Sequence, residues 1–255
     1  MIREPFAGGD SVVHRMDPRV RVFFATLFSV VTALSYRFPT LTAALFLSLS
    51  LTAAARLNGL AVLRRLTVVW GFLIFLWLIL PLTFGGEVLY RLGPLAVSRP
   101  GVMLAAQITL KSHAILLALI SLVATMNSAT LGYVLDFFRL PPKLVYLLLL
   151  TYRYIFVIEQ EYMRLSRAAR LRSFQPRTNL HTYRTYAYLV GMLFVRAAAR
   201  AERVYKAMRC RGFQGKIYCL RSFTVTRLDW VWTGLLGAWM ACLAVLEWAP
   251  IPLFS

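Results

Sequence analysis

Two short phrases hold the side chains best suited to recognition chemistry: Arg170-Leu171-Arg172-Ser173-Phe174 and Arg209-Cys210-Arg211-Gly212-Phe213. Both read Arg-x-Arg-small-Phe. A guanidinium is planar, permanently charged and able to fork onto a carboxylate, so a terminal arginine suits docking to an acidic site on a partner protein. A cation at a helix C-terminus is also favoured by the helix dipole, by about 0.3–1 kcal/mol. Cysteine chemistry is not expected: Cys210, Cys219 and Cys242 are odd in number and lack ligand spacing, which supports neither a disulfide framework nor a zinc site.

The elements that position the phrases are read as two helices. The first runs from Glu159 and is stopped by Gln175-Pro176; the second runs from Tyr188 to a left-handed position at Gly212. Ala168 and Ala207 stand just before the two phrases. Arg196, Arg200 and Arg203 fall at i, i+4 and i+7, one stripe of the second helix. Both helices lie in a stretch, residues 159–227, with fifteen Lys or Arg against Glu159, Glu161 and Glu202, a net +12 of the chain's +19. So basic a stretch in a membrane protein belongs on the cytoplasmic side.

That the chain is a membrane protein follows from composition: 59% hydrophobic and 15% charged residues, against about a quarter charged in soluble domains. No apolar run precedes Val20, so no cleavable signal peptide is expected. Asp17-Pro18 is a helix-start signal. Apolar runs at Val20–Tyr36, Leu41–Ala55, Leu66–Phe84, Val102–Met126 and Leu228–Trp248 read as five spans, with Pro81 capping or kinking the third. Tyr36-Arg37-Phe38-Pro39 is read as an interfacial turn and residues 85–101 as an outside loop. Arg15, Arg19, Arg21, Arg56, Arg64 and Arg65 put the N-terminus and the second loop inside.

Residues 144–158, interrupted by Thr151 and Arg153, are read as a short embedded helix that does not cross, because crossing would put the +12 stretch outside. The expectation is an all-α polytopic membrane protein with about five transmembrane helices and long cytoplasmic helices. It divides into residues 1–126 with four spans, 127–227 as the cytoplasmic and interfacial region, and 228–255 as the last span.

Within the spans, Lys111 is read as a structural contact, to another subunit or a backbone carbonyl. His113 alone, without nearby Cys, Asp or Glu, does not make a metal site. Asp136 and Arg139 belong to a short interfacial helix over Leu131–Leu140, stopped by Pro141-Pro142.

A basic helix near a membrane is also simply a surface for anionic headgroups, at about 1 kcal/mol per charge. An enzyme acting on a phosphorylated lipid would need a carboxylate cluster or a His nucleophile, and the ten acidic residues are scattered. A self-sufficient channel or carrier would show an internal repeat, which is not seen. The basic stretch carries no nucleic-acid-binding signature, so no nucleic-acid partner is expected.

Over almost its whole length the chain resembles the CbiQ-like transmembrane components of energy-coupling-factor transporters of the cobalt/nickel type. The resemblance rests on Asp10-Ser11 with His14-Arg15-Met16-Asp17-Pro18-Arg19, on Thr125-Met126-Asn127-Ser128 through Leu140-Pro141, on Tyr152-Arg153-Tyr154, and on the two arginine-containing helix ends. Family members usually read Ala-Arg-Gly or close to it at those ends; here Cys210 precedes Arg211, and Leu171 and Ser173 flank Arg172.

The resemblance implies a non-catalytic scaffold in a bacterial or archaeal cell membrane. Arg172 and Arg211 would each enter a groove of one of two CbiO-like cassette ATPases, supported by Ala168, Arg170, Ser173, Ala207, Arg209 and Gly212 as the surrounding coupling residues. Leu165, Ala168, Ala169, Ala199 and Val204 would supply parts of an apolar face. ATP and Mg2+ would be held by the ATPases, in keeping with the lack of a GxxxxGK[ST] loop here. Cargo, cobalt or nickel ions rather than a vitamin, would be bound by a separate CbiM-like membrane subunit, with a small CbiN-like subunit and membrane lipid as further partners.

Overall fold

The computed structural model describes residues 9, 11–85, 87–92, 95–215 and 227–248. Met1 to Pro5, Asp10, Lys216, Cys219 and Arg221 lie outside the described residues. Among those described, the order is α1 (Val12–Arg15), α2 (Pro18–Leu34), α3 (Phe38–Ala54), α4 (Gly59–Thr83), β1 (Val88–Leu92), β2 (Leu95–Ser98), α5 (Arg99–Leu122), α6 (Ser128–Phe137), α7 (Pro142–Leu171), α8 (Leu180–Cys210) and α9 (Arg227–Trp248). They form two compact units: α1 to α5 with α9, and α6 to α8. The protein is all-α in class, with one short antiparallel hairpin, β1–β2, where a loop was expected.

The helices start where short polar side chains can take up free amides. Asp17 accepts from the Arg19 amide at 2.8 Å with Pro18 at the first helical position, Asn58 accepts from Leu60, and Ser98 accepts from Gly101. In the first unit the core is apolar and continuous, formed by Met16, Phe24, Phe28, Leu51, Leu122 and Leu243 among others. Gly101 permits a close approach of α5 to α4, since a β-carbon there would lie 2.5 Å from the Leu80 carbonyl oxygen and 2.8 Å from Pro81 Cα.

Polar contacts fix the helix directions. At one end of this unit, the Asp17 amide donates to Asp229 at 2.8 Å, and Arg21 on α2 donates to the Leu122 carbonyl at 3.0 Å and to Thr125. At the other end Glu247 accepts from the amides of Tyr36 and Arg37, and Gln107 donates to the Tyr36 carbonyl. The starts of α2 and α9 therefore share an end with the close of α5. Asn127 and Arg227, where the chain leaves this unit and returns, are at that same end.

Among the described residues three helices are long and apolar enough to cross a membrane: α4, α5 and residues Asp229–Trp248 of α9. The helices α2 and α3 have 17 residues each. At ~1.5 Å per residue they reach about 25 Å, against a hydrocarbon core of about 30 Å.

In the second unit the expected short embedded helix over 144–158 is not a separate element. It is the first half of α7, which runs unbroken for 30 residues. A change from apolar to charged sequence alters what surrounds a helix without ending it, and no Pro or Gly follows Pro142 before Leu171. Likewise α8 begins at Leu180 rather than Tyr188, because Asn179 accepts from the Thr182 amide at 2.9 Å and caps it. The helix expected over Leu131–Leu140 spans Ser128–Phe137 and lies close on α7 at Gly132, opposite Leu149.

Candidate docking site: two arginine-tipped helix ends

Both Arg-x-Arg-small-Phe phrases fold into the same helix cap. In the first, the Ser173 amide donates to the Arg170 carbonyl at 3.0 Å and the Phe174 amide to the Ala169 carbonyl at 3.2 Å. In the second, the Gly212 amide donates to Arg209 at 3.0 Å and the Phe213 amide to Met208 at 3.1 Å. These paired bonds define a Schellman motif, and they place Arg172 and Arg211 at the equivalent C-cap position. Ser173 and Gly212 occupy the left-handed position after it, with φ of +64° and +75°.

The glycine was expected there; the serine was not, because a side chain in that conformation is strained. Ser173→Gly should therefore raise the stability of this unit by about 0.5–1 kcal/mol, the strain relieved less the entropy glycine loses on folding. Thermal unfolding in detergent checks it, and a lower melting temperature would contradict it.

Each phenylalanine buttresses its cap against the neighbouring helix. Phe174 meets the Tyr186 ring edge-on at 5.7 Å between centroids, and Phe213 lies 5.0 Å from the Tyr146 ring, whose hydroxyl also reaches the Met208 sulfur at 3.8 Å. Because Tyr146 is near the start of α7 and Met208 near the end of α8, the two helices run antiparallel. The two arginines thus sit at opposite ends of the pair. Tyr146 and Arg172 stand 26 positions apart along α7 and its cap, so the arginines are roughly 40 Å apart at ~1.5 Å rise per residue.

Ala168, Arg170, Arg172, Ser173, Ala207, Arg209, Arg211 and Gly212 are all exposed. Beside Arg172, Leu171 is 88% exposed, and beside Arg211 the thiol-bearing Cys210 is exposed. Each tip therefore offers a cation next to an apolar or soft neighbour. Leu171 had carried no assigned role, yet large exposed apolar side chains at a helix end are the signal that would have found it. Of the expected apolar face, Leu165 is buried within the unit and Val204 lines the groove between α7 and α8, so neither faces outward.

Two arginines of the α8 stripe, Arg196 and Arg200, turn toward α7. Arg196 hydrogen-bonds to Glu161 of α7, while Arg200 and Arg164 lie 3.9 and 3.6 Å from the same carboxylate. The Arg196 hydrogen bond first, and then the charges of Arg196, Arg164 and Arg200, hold the Glu161 carboxyl below its usual range. A lowered folded-state pKa means that the stabilisation is complete above the unfolded value, and is lost as pH falls through the lowered one.

Within the first unit, Lys111 donates to the Ala33 carbonyl at 2.9 Å and lies over the Tyr36 ring, the backbone contact expected of it. His113 is committed on both ring nitrogens: Trp70 donates to Nε2 at 3.1 Å, which leaves Nδ1 to donate to the Thr109 carbonyl at 2.8 Å. Among the described residues no group of three or more His, Cys, Asp or Glu is placed to hold a metal ion.

The model of the family described as CbiQ, cobalt transport protein, matches residues 9–219, which include both arginine tips. The chain belongs to the CbiQ family. It is 27% identical over 242 residues to the energy-coupling factor transporter transmembrane protein EcfT of Brevibacillus brevis, covering 89% of each chain. To the EcfT protein of Heliobacterium modesticaldum it is 26% identical, over 81% of each. To the cobalt transport protein CbiQ of Rhodobacter capsulatus it is 30% identical over 142 residues, 54% of this chain and 58% of that one. The CbiQ-like character read from the sequence motifs thus holds: this is a transmembrane component of the energy-coupling-factor type. The family match stops short of α9, which joins the bundle through Asp229.

Proposed function

We propose that this CbiQ-family chain is the scaffold through which two cassette ATPases drive uptake of cobalt or nickel ions by a separate substrate-binding membrane subunit. The observation that carries the reading is the duplicated cap: two arginines in one backbone geometry, exposed, roughly 40 Å apart at ~1.5 Å per helical residue, as two separate partners require. ATP and Mg2+ are assigned to the ATPases and the cargo to the partner subunit, with a small accessory membrane subunit alongside. The description of the matching family and the name of the Rhodobacter relative favour cobalt as cargo.

Charge and connectivity support a cytoplasmic side for the arginine tips. Asn127 and Arg227, which flank the α6–α8 unit in the chain, stand at one end of the bundle, and among the described residues α7 and α8 are not helices that qualify as spans. That end of the bundle also carries Arg15, Arg19, Arg56, Arg64 and Arg65, which supports reading it, with the +12 stretch, as cytoplasmic. With α2 and α3 crossing as short helices, the spans number five.

In intact cells carrying Cys219→Ser and Cys242→Ser, a thiol reagent unable to enter should leave Cys210 unlabelled and should label it after permeabilisation. Labelling of Cys210 before permeabilisation would end this reading. Uptake assays of the assembled complex with cobalt, nickel and vitamins decide the cargo.

A further inference from the structure

Between the two aromatic clasps at Phe174 and Phe213, α7 and α8 are joined through Glu161. From Glu161 to Tyr146 an apolar groove of about 500 Å3 opens between the helices, lined by Leu150, Ile158, Ala197 and Ala201. Side chains that do not meet contribute no dispersion contact. Along this stretch the helices are therefore held chiefly at its two ends, by the Tyr146–Phe213 clasp and by Glu161.

The ion pairs supply what packing omits. Glu161 is 12% exposed, whereas the arginines that converge on it are 42–70% exposed. Its two oxygens are divided: Oε1 takes the Arg196 hydrogen bond, and Oε2 lies 3.9 Å from Arg200 and 3.6 Å from Arg164. Two of these three arginines are on α8, one turn apart, so a single carboxylate fixes both the separation and the register of the helices. Arg172 lies about 16 Å beyond Glu161 on α7, and Arg211 about 22 Å beyond Arg196 on α8, at ~1.5 Å per residue. The carboxylate stands where a change of angle moves both tips.

We propose that Glu161 is a positioning residue for coupling, which sets the distance between Arg172 and Arg211 by holding Arg196 and Arg200. The coupling role rests on the reading that the two tips dock separate ATPases; the positional role does not.

The test joins two readouts. Spin labels on native Cys210 and on Ser173→Cys, in the full chain with Cys219→Ser and Cys242→Ser, report the tip-to-tip distance, expected at roughly 40 Å from the helical rise. Glu161→Gln should broaden that distribution and shift its centre. In the complex with ATPases and substrate-binding subunit, Glu161→Gln should lower ions transported per ATP by about fivefold or more, a coupling loss of ordinary size, with both ATPases still bound. The swap Glu161→Arg with Arg196→Glu and Arg200→Glu, which keeps both contacts with their signs exchanged, should recover both values.

Unchanged tip distances and an unchanged transport ratio in Glu161→Gln would overturn the proposal, as would a folded swap variant that recovers neither. If Glu161→Gln does not fold, Arg196→Gln with Arg200→Gln removes the same contacts from the other helix, and parental distances there are equally fatal. Normal uptake by Arg172→Glu with Arg211→Glu would instead sink the docking reading, while the distances in the isolated chain still judge Glu161.

Discussion

Reversing both tip charges, Arg172→Glu with Arg211→Glu, is expected to strip the ATPases from the purified complex and abolish uptake, while the membrane bundle keeps its melting temperature. Both arginines end their helices in exposed caps whose hydrogen bonds are made by the backbone, so the substitutions leave the fold intact. What they change is the partner contact. Removing one side of a desolvated, hydrogen-bonded charge pair costs about 2–5 kcal/mol, roughly 30- to several-thousand-fold in affinity, and a reversal adds repulsion. Because the tips are far beyond the range over which mutations couple, the two effects should add. Each single reversal should then weaken the grip on one ATPase and spare the other. Quantified stoichiometry after affinity purification reads this directly, and a double reversal that retains two ATPases and normal uptake would refute the assignment.

The second large effect is expected at Arg21, whose guanidinium is 2% exposed between α2 and the end of α5. It donates to the Leu122 carbonyl, one of the last four of α5 and so without a partner inside its own helix, and to the Thr125 hydroxyl. Arg21→Ala takes the guanidinium from the Leu122 carbonyl and leaves the Thr125 hydroxyl with its bond to the Ser121 carbonyl. Hydrogen bonds to charged groups contribute about 1.5–3 kcal/mol, so a loss of about 3 kcal/mol is expected. For a chain of this size that lowers the melting temperature by about 10 °C. Thr125→Val removes only one acceptor and should cost about 1 kcal/mol. A detergent melting series on the two variants tests the order, and an Arg21→Ala protein that melts like the parent would show that the contact carries no weight.

Arg21 also marks the limit of reading charge along a chain. Counted with Arg15 and Arg19 it is one more cation favouring the cytoplasmic side; in the fold it is a buried helix cap. Nothing in the local sequence separates it from its neighbours, since its partners lie about a hundred residues away. The same holds for Asp229, whose contact with the Asp17 amide joins positions 212 apart.

Local signals were far more legible. Asp17-Pro18 and Gly212 do what their types dictate, and the apolar runs lie within a few residues of α2, α3, α5 and α9, whereas α4 starts at Gly59, well before the run at Leu66. The docking phrases were visible because they repeat, yet their identity as Schellman caps was not. Ser173 disguises the first, and the phenylalanines matter through rings on the other helix. The division of α7 at residue 158 followed polarity, which reports the surroundings of a helix and not its continuity.

The repetition of one cap at both extremities of the α7–α8 pair bears on how the engine itself can be built. Two dissimilar sockets would oblige the cell to make two kinds of motor, each fitted to its own. A shared backbone shape removes that obligation. Under the proposed docking, a single ATPase gene product, used twice, would meet the scaffold at either extremity, and any later divergence into two motors would answer to the neighbours that differ, Leu171 and Ser173 against Cys210 and Gly212, and not to the frame that presents the arginines.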